Sequence, residues 1–233
     1  AQSAGGNGGN VTLLGLGANG NVTSGVAFSA TTGGQNIGSN GSVTIVAEGV
    51  AAALTNTISL AGNLNTSGGT GGVGNVSVVT GTALTASKTV SMSNPVGPTI
   101  TPTLSNTPNN ASIAIRDIIT AGGSIDVLAN GNISGSSSAI QSNGVVGGRI
   151  NLLAGLRVSG SNGAGGILGV GQIVSNSTNG AAGNIVIATG TSSSFIGSIS
   201  AISGGGDFDG ANISIVGGGN LGVNGITDQA SQK

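Results

Sequence analysis

One nine-residue phrase limits what this chain can fold into more than any other feature, because it returns along the whole sequence. Its clearest copy is Gly183–Thr191, GNIVIATGT. The β-branched centre of the phrase suits a short strand that is buried on at least one face. Gly183 and Gly190 bracket that centre, and glycine marks points where a chain turns. The phrase therefore predicts a strand followed by a corner.

The copies recur at a nearly regular spacing. The first apolar residues of the copies are Val11, Val43, Val76, Ile113, Ile125, Ile150, Ile185 and Ile213. If Ile113 and Ile125 share one unit, the steps run from 28 to 37 residues. Strand repeats of this length are typical of solenoids, in which stacking buries an apolar row that no unit can bury alone. The sequence therefore predicts an all-β, parallel β-solenoid of about seven coils. The alternative is a β-sandwich, but aromatic residues, which usually fill sandwich cores, are only 1% of the chain.

Two rows of side chains are expected from this stacking. The anchors Val11, Val43, Val76, Ile150, Ile185 and Ile213 should form one inward row. The residue before the anchor is asparagine in four copies, at Asn10, Asn75, Asn184 and Asn212. Because stacked strands place equivalent side chains above one another, these asparagines should form a ladder.

We expect residues 1–233 to form a single β-solenoid domain. The units predicted from the phrase are 9–40, 41–73, 74–110, 111–147, 148–182, 183–210 and 211–233. In the second unit, three strands are predicted at Val43–Val46, Val50–Leu54 and Thr57–Leu60. Residues 93–110 contain all four prolines of the chain and are expected to leave the solenoid wall, because proline cannot donate a ladder hydrogen bond. This excursion is either a surface loop or an arm that contacts a neighbouring subunit.

Composition excludes several classes of function. The formal net charge is −1 and charged residues are 5% of the chain, so no basic patch is present to bind nucleic acid. The longest apolar run, Val50–Leu54, is far too short to span a membrane. Cysteine and histidine are absent, which excludes disulfides, thiol nucleophiles, Cys/His metal sites and a Ser-His-Asp triad. The start Ala1–Ala4 lacks a methionine and fits cleavage of a signal peptide; an N-terminus chosen for recombinant expression is the alternative.

The repeats resemble those of a known family. Gly183–Thr191 followed by Gly197–Gly205, GSISAISGG, is similar to the repeats of the filamentous-haemagglutinin family of secreted bacterial exoproteins. The resemblance extends over most of the chain as a repeat style. It implies a right-handed parallel β-helix and a role at the bacterial cell surface.

One group of charged residues offers candidate chemistry. Arg116, Asp117, Asp126, Arg149 and Arg157 are five of the eleven charged residues, and stacking could place them on one wall. Glycoside hydrolysis needs two carboxyls that flank one bond, and Asp117 and Asp126 are the plausible pair. The alternative is a neutralising group of surface ion pairs, which we favour because tryptophan and tyrosine, the usual platforms for sugars, are absent.

Other motifs are weaker. Asp207 and Asp209 follow three glycines, as in calcium-binding nonapeptide repeats, but the motif stands alone and a solvated turn is favoured. Gly15–Gly20 and Gly217–Gly222 match G-x-G-x-x-G without a following helical pattern, so no pyrophosphate site is expected. Ice binding needs a regular array of threonines, one on each coil. Ice binding is not expected, because the residue that follows the first apolar residue differs between copies of the phrase: Thr12, Thr44, Ser77, Ala114, Asp126, Asn151, Val186 and Ser214. The three aromatic residues, Phe28, Phe195 and Phe208, are expected in the core or at coil ends.

These observations favour a non-enzymatic structural protein. We predict a secreted subunit that assembles head to tail with copies of itself into an extracellular filament or surface layer, because open strand edges at both ends invite pairing. No catalytic, cofactor-binding or metal-binding residue is predicted. Cell-surface glycans stay open as a second class of partner. The alternatives are a fragment of a monomeric surface adhesin and a β-helix polysaccharide lyase or hydrolase.

Overall fold

The chain is built from two parallel β-sheets that face each other across one apolar core. The computed structural model describes residues 5–17, 19–25, 29–48, 57–80, 92–93, 97–98, 111–155 and 164–231. Within these ranges all regular structure is β-strand. The pairing is parallel throughout both sheets, as expected for a β-solenoid, whereas the sandwich alternative requires antiparallel sheets.

Sheet A contains the phrase strands. It has seven strands, and their order in the sheet is their order along the chain. Its members are β1 (Val11–Gly15), β4 (Val43–Ala47), β7 (Val76–Thr80), β12 (Ile125–Leu128), β14 (Ile150–Leu153), β16 (Ile185–Thr189) and β18 (Ile213–Gly217). Each of these strands has four or five residues.

Sheet B contains the strands that follow each phrase. It has ten strands. In the earlier units two short strands occupy the positions that one longer strand occupies in the later units. Its members are β2 (Val22–Thr23), β3 (Ala30–Thr31), β5 (Ile58–Ser59), β6 (Leu64–Thr66), β10 (Ile113–Ile115), β11 (Ile118–Thr120), β13 (Ile133–Ser142), β15 (Ile167–Val174), β17 (Ser194–Ile202) and β19 (Leu221–Gln229). A bulge in β13 between Ser134 and Ser138 bends the strand where earlier units have a break, and Ser137 there has a φ of 55°.

The predicted inward row is present and has one further member. Val11 pairs in register with Val43, and the same column continues through Val76, Ile125, Ile150, Ile185 and Ile213. The members between the two ends are buried, while Val11 and Ile213 are partly exposed. A second inward column, from Leu13 and Ile45 to Ile187 and Ile215, lies beside it. Isoleucine, valine and leucine of both sheets fill the space between them.

The pairing moves one unit boundary. Ile113 was expected to begin a unit that also contains Ile125. In the structure, β10 pairs with β5 and β13 in sheet B, and the sheet A strand next to β7 is β12. The copy of the phrase at 111–115 therefore belongs to the unit that starts at Gly74, and the next unit starts at Gly123. A local alternation of apolar residues does not distinguish the two sheets.

Several expected features lie outside the described residues. They are the strand at Val50–Leu54, Phe28, Arg157 and most of the proline-rich excursion. Within that excursion and just before it, β8 (Met92–Ser93) and β9 (Gly97–Pro98) pair antiparallel with each other and belong to neither sheet A nor sheet B.

Candidate functional site

The charged residues of the predicted cluster are divided between the two sheets. Asp126 lies on the outer side of β12, where it pairs with Asn151 of β14. An Arg149 Nη atom donates to both Asp126 carboxylate oxygens, at 3.1 and 3.0 Å, and Asn151 Nδ2 donates to Asp126 Oδ1 at 2.6 Å. This ion pair is open to solvent, so it neutralises charge on the wall and contributes little to stability.

Asp117 lies in sheet B, in the break between β10 and β11. Its carboxylate Oδ1 accepts a hydrogen bond from the backbone N–H of Ala139 at 2.9 Å, just after the bulge of β13. Its own N–H donates to Asn63 Oδ1 at 3.3 Å. The expectation that Asp117 and Asp126 share one wall is therefore wrong, because their strands belong to different sheets. Both carboxylates are engaged in structural contacts rather than aimed at a common point.

Arg116 stands apart from its acidic neighbours. It is exposed and lines a shallow groove of about 330 Å³ at the same break in sheet B. Ser134, Ser136 and Leu60 also line the groove, which contains no carboxylate. General acid–base chemistry needs a titratable pair, so a single arginine among serines does not provide a hydrolytic centre.

A second groove is mostly apolar. It encloses about 390 Å³ where sheet B turns back to sheet A, and Val73, Ala121, Val145 and Val146 line it. The three valines are exposed. Thr70 supplies the one side-chain hydroxyl of its lining. The groove thus offers surface for contact but no convergent polar groups for chemistry.

The weaker motifs lie in turns. Asp207, Phe208 and Asp209 occupy an exposed segment after β17, and the Asp209 carbonyl accepts a hydrogen bond from the Ser203 hydroxyl at 2.7 Å. Among the described residues, no group of three or more His, Cys, Asp and Glu side chains could hold a metal ion. Gly217–Gly222 connects strand β18 to strand β19, so no helix N-terminus follows it.

The asparagine ladder is present in a form that links side chain to backbone. Asn10 Oδ1 accepts from the N–H of Ser42 at 2.8 Å, and Asn75 Oδ1 accepts from that of Ser124 at 2.8 Å. Asn184 Oδ1 accepts from the N–H of Asn212 at 2.9 Å. Each asparagine thus binds the equivalent position of the following unit, which fixes the register between units.

Sheet B has the same device, which the sequence analysis missed. Asn132 Oδ1 accepts from the N–H of Gly166 at 2.8 Å, and Asn143 Oδ1 accepts from that of Asn176 at 2.9 Å. Asn132 precedes the apolar start of its strand, as in the phrase, so its position relative to Ile133 was the signal that could have revealed it.

The last strands present an apolar edge. Side chains of β19 that continue buried columns are themselves exposed. Ile226 continues the column of Ile173 and Ile199 and is 54% exposed, and Leu221 is 37% exposed. Val216 on the outer side of β18 is 61% exposed. At the other end, Val11 and Leu13 of β1 are partly exposed. No described strand pairs with the free side of β1, β2, β18 or β19.

The two aromatic residues that the structure describes lie outside the core. Phe195 lies on the outer side of β17 and is 52% exposed, beside Leu168 of β15 and above Gly222 of β19. Phe208 is exposed and its ring packs against Gly206. Phe195 was expected in the core or at a coil end; the expectation of a core position is wrong, because its strand position faces outward.

Comparison with known proteins adds no assignment. No protein-family model, curated protein or solved structure is significantly similar to this chain. The part of the chain that the structure describes contains no helix that is long and apolar enough to cross a membrane.

Proposed function

We propose that this protein is a secreted, non-enzymatic structural protein whose subunits join end to end in an extracellular filament or surface layer. Its architecture in this proposal is a right-handed parallel β-helix of about seven coils. The seven strands of sheet A, each followed by strands of sheet B, support the coil count. The near-universal right hand of parallel strand connections supports the handedness.

The observation that carries the proposal is the pairing potential of β18. The N–H of Ile185 donates to the carbonyl of Asn212, and the N–H of Gly218 donates to the carbonyl of Thr189. In a parallel pair the backbone groups alternate in direction, so the even-numbered residues of β18 face β16. Ile213 and Ile215 therefore turn their N–H and C=O groups to the free side. Such an edge is a template for another strand.

The free side of β1 offers the complementary groups. The N–H of Val11 donates to Ser42, and the carbonyl of Gly15 accepts from Glu48, so the odd-numbered residues of β1 face β4. Thr12 and Leu14 consequently turn their backbone groups away from the protein. Because β1 and β18 run in the same direction in one sheet, two copies related by a translation along the stack bring these edges together. Such a contact is heterologous and propagates into a fibre unless the rotation closes a ring.

Charge and composition favour the same reading. With a net charge of −1, copies of the chain repel one another weakly. Export after removal of a signal peptide, and membership of the filamentous-haemagglutinin class of surface proteins, belong to this proposal as hypotheses. Cell-surface glycans stay a second class of partner. In the adhesin alternative, further residues of the same polypeptide cover the two edges. The enzymatic alternative loses its carboxylate pair, since Asp117 and Asp126 lie on different sheets.

The test blocks one edge at a time. Thr12→Pro removes an N–H on the free side of β1, and Ile215→Pro removes one on the free side of β18; neither N–H belongs to an internal ladder. Proline is tolerated at edge positions of this kind. We expect untreated wild-type protein to sediment as large species and to form fibres in negative-stain micrographs, and each variant to sediment at 21.6 kDa.

Mixing the two variants adds a positive result. Each variant retains one intact edge, so an equimolar mixture should form a heterodimer of twice 21.6 kDa and nothing larger. Thr12→Ala and Ile215→Val keep both N–H groups, and Ile215→Val also keeps a β-branched apolar side chain, so these variants serve as controls that should still assemble. A wild-type protein that sediments at 21.6 kDa at every concentration excludes end-to-end assembly and favours the adhesin alternative.

A further inference from the structure

A column of glycines joins successive units two residues before the first apolar residue of the sheet A strands; the last unit has Ala211 at this position. A Cβ atom added to Gly41 would lie 2.2 Å from the carbonyl oxygen of Gly9. At Gly74 it would lie 2.1 Å from the oxygen of Gly41, and at Gly123 it would lie 2.0 Å from that of Gly74. Real Cβ atoms do not approach oxygen so closely. The close approach of the preceding unit, and not an unusual φ, therefore favours glycine at Gly41, Gly74 and Gly123.

Gly9 is the exception in its column. A Cβ atom added there meets nothing within 4 Å, although its own carbonyl oxygen packs against Gly41. Gly6 likewise has a close neighbour on one side only. Its carbonyl oxygen lies 2.0 Å from a Cβ atom built on Gly38, whereas a Cβ atom built on Gly6 itself meets no described atom within 4 Å. No described residue requires glycine at either position. Both glycines face a side on which the structure describes no neighbouring unit.

The last unit shows the reciprocal feature. Asn212 and Asn220 directly precede β18 and β19, and both are exposed. In earlier units the side-chain oxygen at this position accepts from the backbone N–H of the following unit, as Asn75 accepts from Ser124 and Asn132 from Gly166. The hydrogen bonds that hold Asn212 and Asn220 in place use their backbone: Asn212 N–H donates to Asn184, and the Asn220 carbonyl accepts from Ser194.

We infer that the partner of the last unit is the first unit of a second copy, stacked in the register that internal units use. This inference rests on the end-to-end assembly proposed above and specifies its joint. The side-chain oxygens of Asn212 and Asn220 accept from the backbone N–H groups of Asn10 and Asn21 in the next copy. The carbonyl of Ala211 packs against the Cα of Gly9 in that copy.

The apolar columns continue across the same joint. In this register Ile213 of one copy stacks on Val11 of the next and Ile215 stacks on Leu13. Leu221 stacks on Val22, which heads its column in sheet B. The strands β1 and β18 both have five residues, so every rung of the ladder has a partner. A different partner protein would need to reproduce these columns, whereas a second copy supplies them without change.

The first experiment compares one substitution at two places in the glycine column. Gly9→Val leaves the isolated subunit unchanged, since its side chain enters open space, but in the assembly it collides with Ala211 of the preceding copy. We expect a folded protein with the wild-type circular dichroism spectrum and the wild-type melting temperature of the dilute monomer, and no fibres. Gly41→Val is the matched internal control and should destabilise the fold itself, since its Cβ would lie 2.2 Å from the Gly9 oxygen.

The second experiment weakens the joint without blocking it. The double variant Asn212→Ala, Asn220→Ala removes two expected hydrogen bonds of the joint and no described internal one. The critical concentration for assembly should rise about thirtyfold, the ratio given by two net hydrogen bonds. Asn179→Ala, at an exposed asparagine outside the first and last units, is the control and should leave the critical concentration unchanged.

The outcomes distinguish a failure of the inferred register from a failure of end-to-end assembly. Wild-type fibres together with monomeric Gly9→Val and a raised critical concentration in the double variant support the joint. Wild-type fibres that form equally well with Gly9→Val overturn the inferred register but leave end-to-end assembly in place. A wild-type protein that is monomeric at all concentrations overturns both, and a longer form of the polypeptide that buries Gly9 against its own preceding residues would identify the occupant instead.

Discussion

The Thr120 hydroxyl donates a hydrogen bond to the carbonyl oxygen of Gly123 at 2.7 Å, and this bond joins the end of sheet B to the start of sheet A. Neighbouring units repeat the contact. Thr32 donates to Gly41 and Thr66 donates to Gly74, each at 2.7 Å, at the start of the following unit. Ser175 donates instead to Gly148 at 2.7 Å, at the start of its own unit. Thr120 is buried, and the Gly123 carbonyl also accepts a hydrogen bond from the Ser142 hydroxyl at 2.6 Å, so two inward hydroxyls satisfy this buried acceptor. Inward hydroxyls thus hold the turn between sheet B and sheet A in these units.

The first prediction tests these inward hydroxyls. Thr120→Val keeps the shape of the side chain but removes the donor to Gly123, and it also removes the contact with the Ser142 hydroxyl at 2.9 Å. We expect a loss of about 0.5–1.5 kcal/mol in the free energy of unfolding, the net value of one hydrogen bond, because the Gly123 carbonyl keeps the Ser142 hydroxyl as its second donor. Urea denaturation of the dilute protein measures it. An unchanged midpoint would show that the Thr120 hydroxyl does not hold this turn.

Thr189→Val is the matched control and has its own expected result. Thr189 is also buried, but its hydroxyl has no hydrogen-bond partner among the residues that the structure describes. Replacing an unsatisfied buried hydroxyl with a methyl group of the same shape removes a desolvation cost. We therefore expect an unchanged or increased free energy of unfolding in the same urea experiment. A loss as large as that of Thr120→Val would contradict the assignment of Thr189 as unsatisfied.

The second prediction concerns the inward column. Ile150 is fully buried at the centre of sheet A, and Ile150→Asp would place an unpaired charge among the apolar side chains. We expect a loss of about 3–5 kcal/mol, the size found for uncompensated buried charges. Val186→Asp is the control, since Val186 lies on the outer side of the adjacent strand β16. Its melting temperature should change little, and equal losses for the two variants would contradict the inward assignment.

The third prediction concerns Asp117 and the bulge. Asp117→Ala removes the acceptor of the Ala139 N–H, whereas Asp117→Asn keeps an oxygen in the same place. We expect the alanine variant to lose about 1–2 kcal/mol and the asparagine variant to lose much less. Hydrogen exchange of the Ala139 amide should accelerate in the alanine variant alone. Equal exchange in the two variants would mean that the carboxylate does not secure the bulge.

The fourth prediction addresses the enzymatic alternative. The Asp117 and Asp126 carboxylates lie on different sheets, and each is committed to its own hydrogen bonds. We therefore expect no released oligosaccharide when the wild-type protein is incubated with a panel of neutral and acidic polysaccharides. Reducing-end assays and mass spectrometry measure this. Product from the wild type that disappears in Asp117→Asn or Asp126→Asn would establish an enzyme and overturn the structural role.

The sequence by itself determined which residues point inward within each strand. The alternation around Val43, Val76, Ile150 and Ile185 has a period of two, and side chains on a strand alternate between its faces with the same period. The asparagine before the anchor likewise identified the ladder at Asn10, Asn75, Asn184 and Asn212. Both features depend only on residues that are close in the sequence, so they can be recognised without knowing which strands pair.

The tertiary structure alone decided which sheet each strand joins. Ile113 and Ile125 have the same local pattern, but β10 enters sheet B and β12 enters sheet A. The same choice separates Asp117 from Asp126 and turns Phe195 outward. The preference for glycine at Gly41 and Gly74 also arises between units, from a carbonyl oxygen more than thirty residues away in the sequence. Which strands pair depends on contacts between residues far apart in the sequence and on the lengths of the connections between strands. A repeated local phrase contains no information on either.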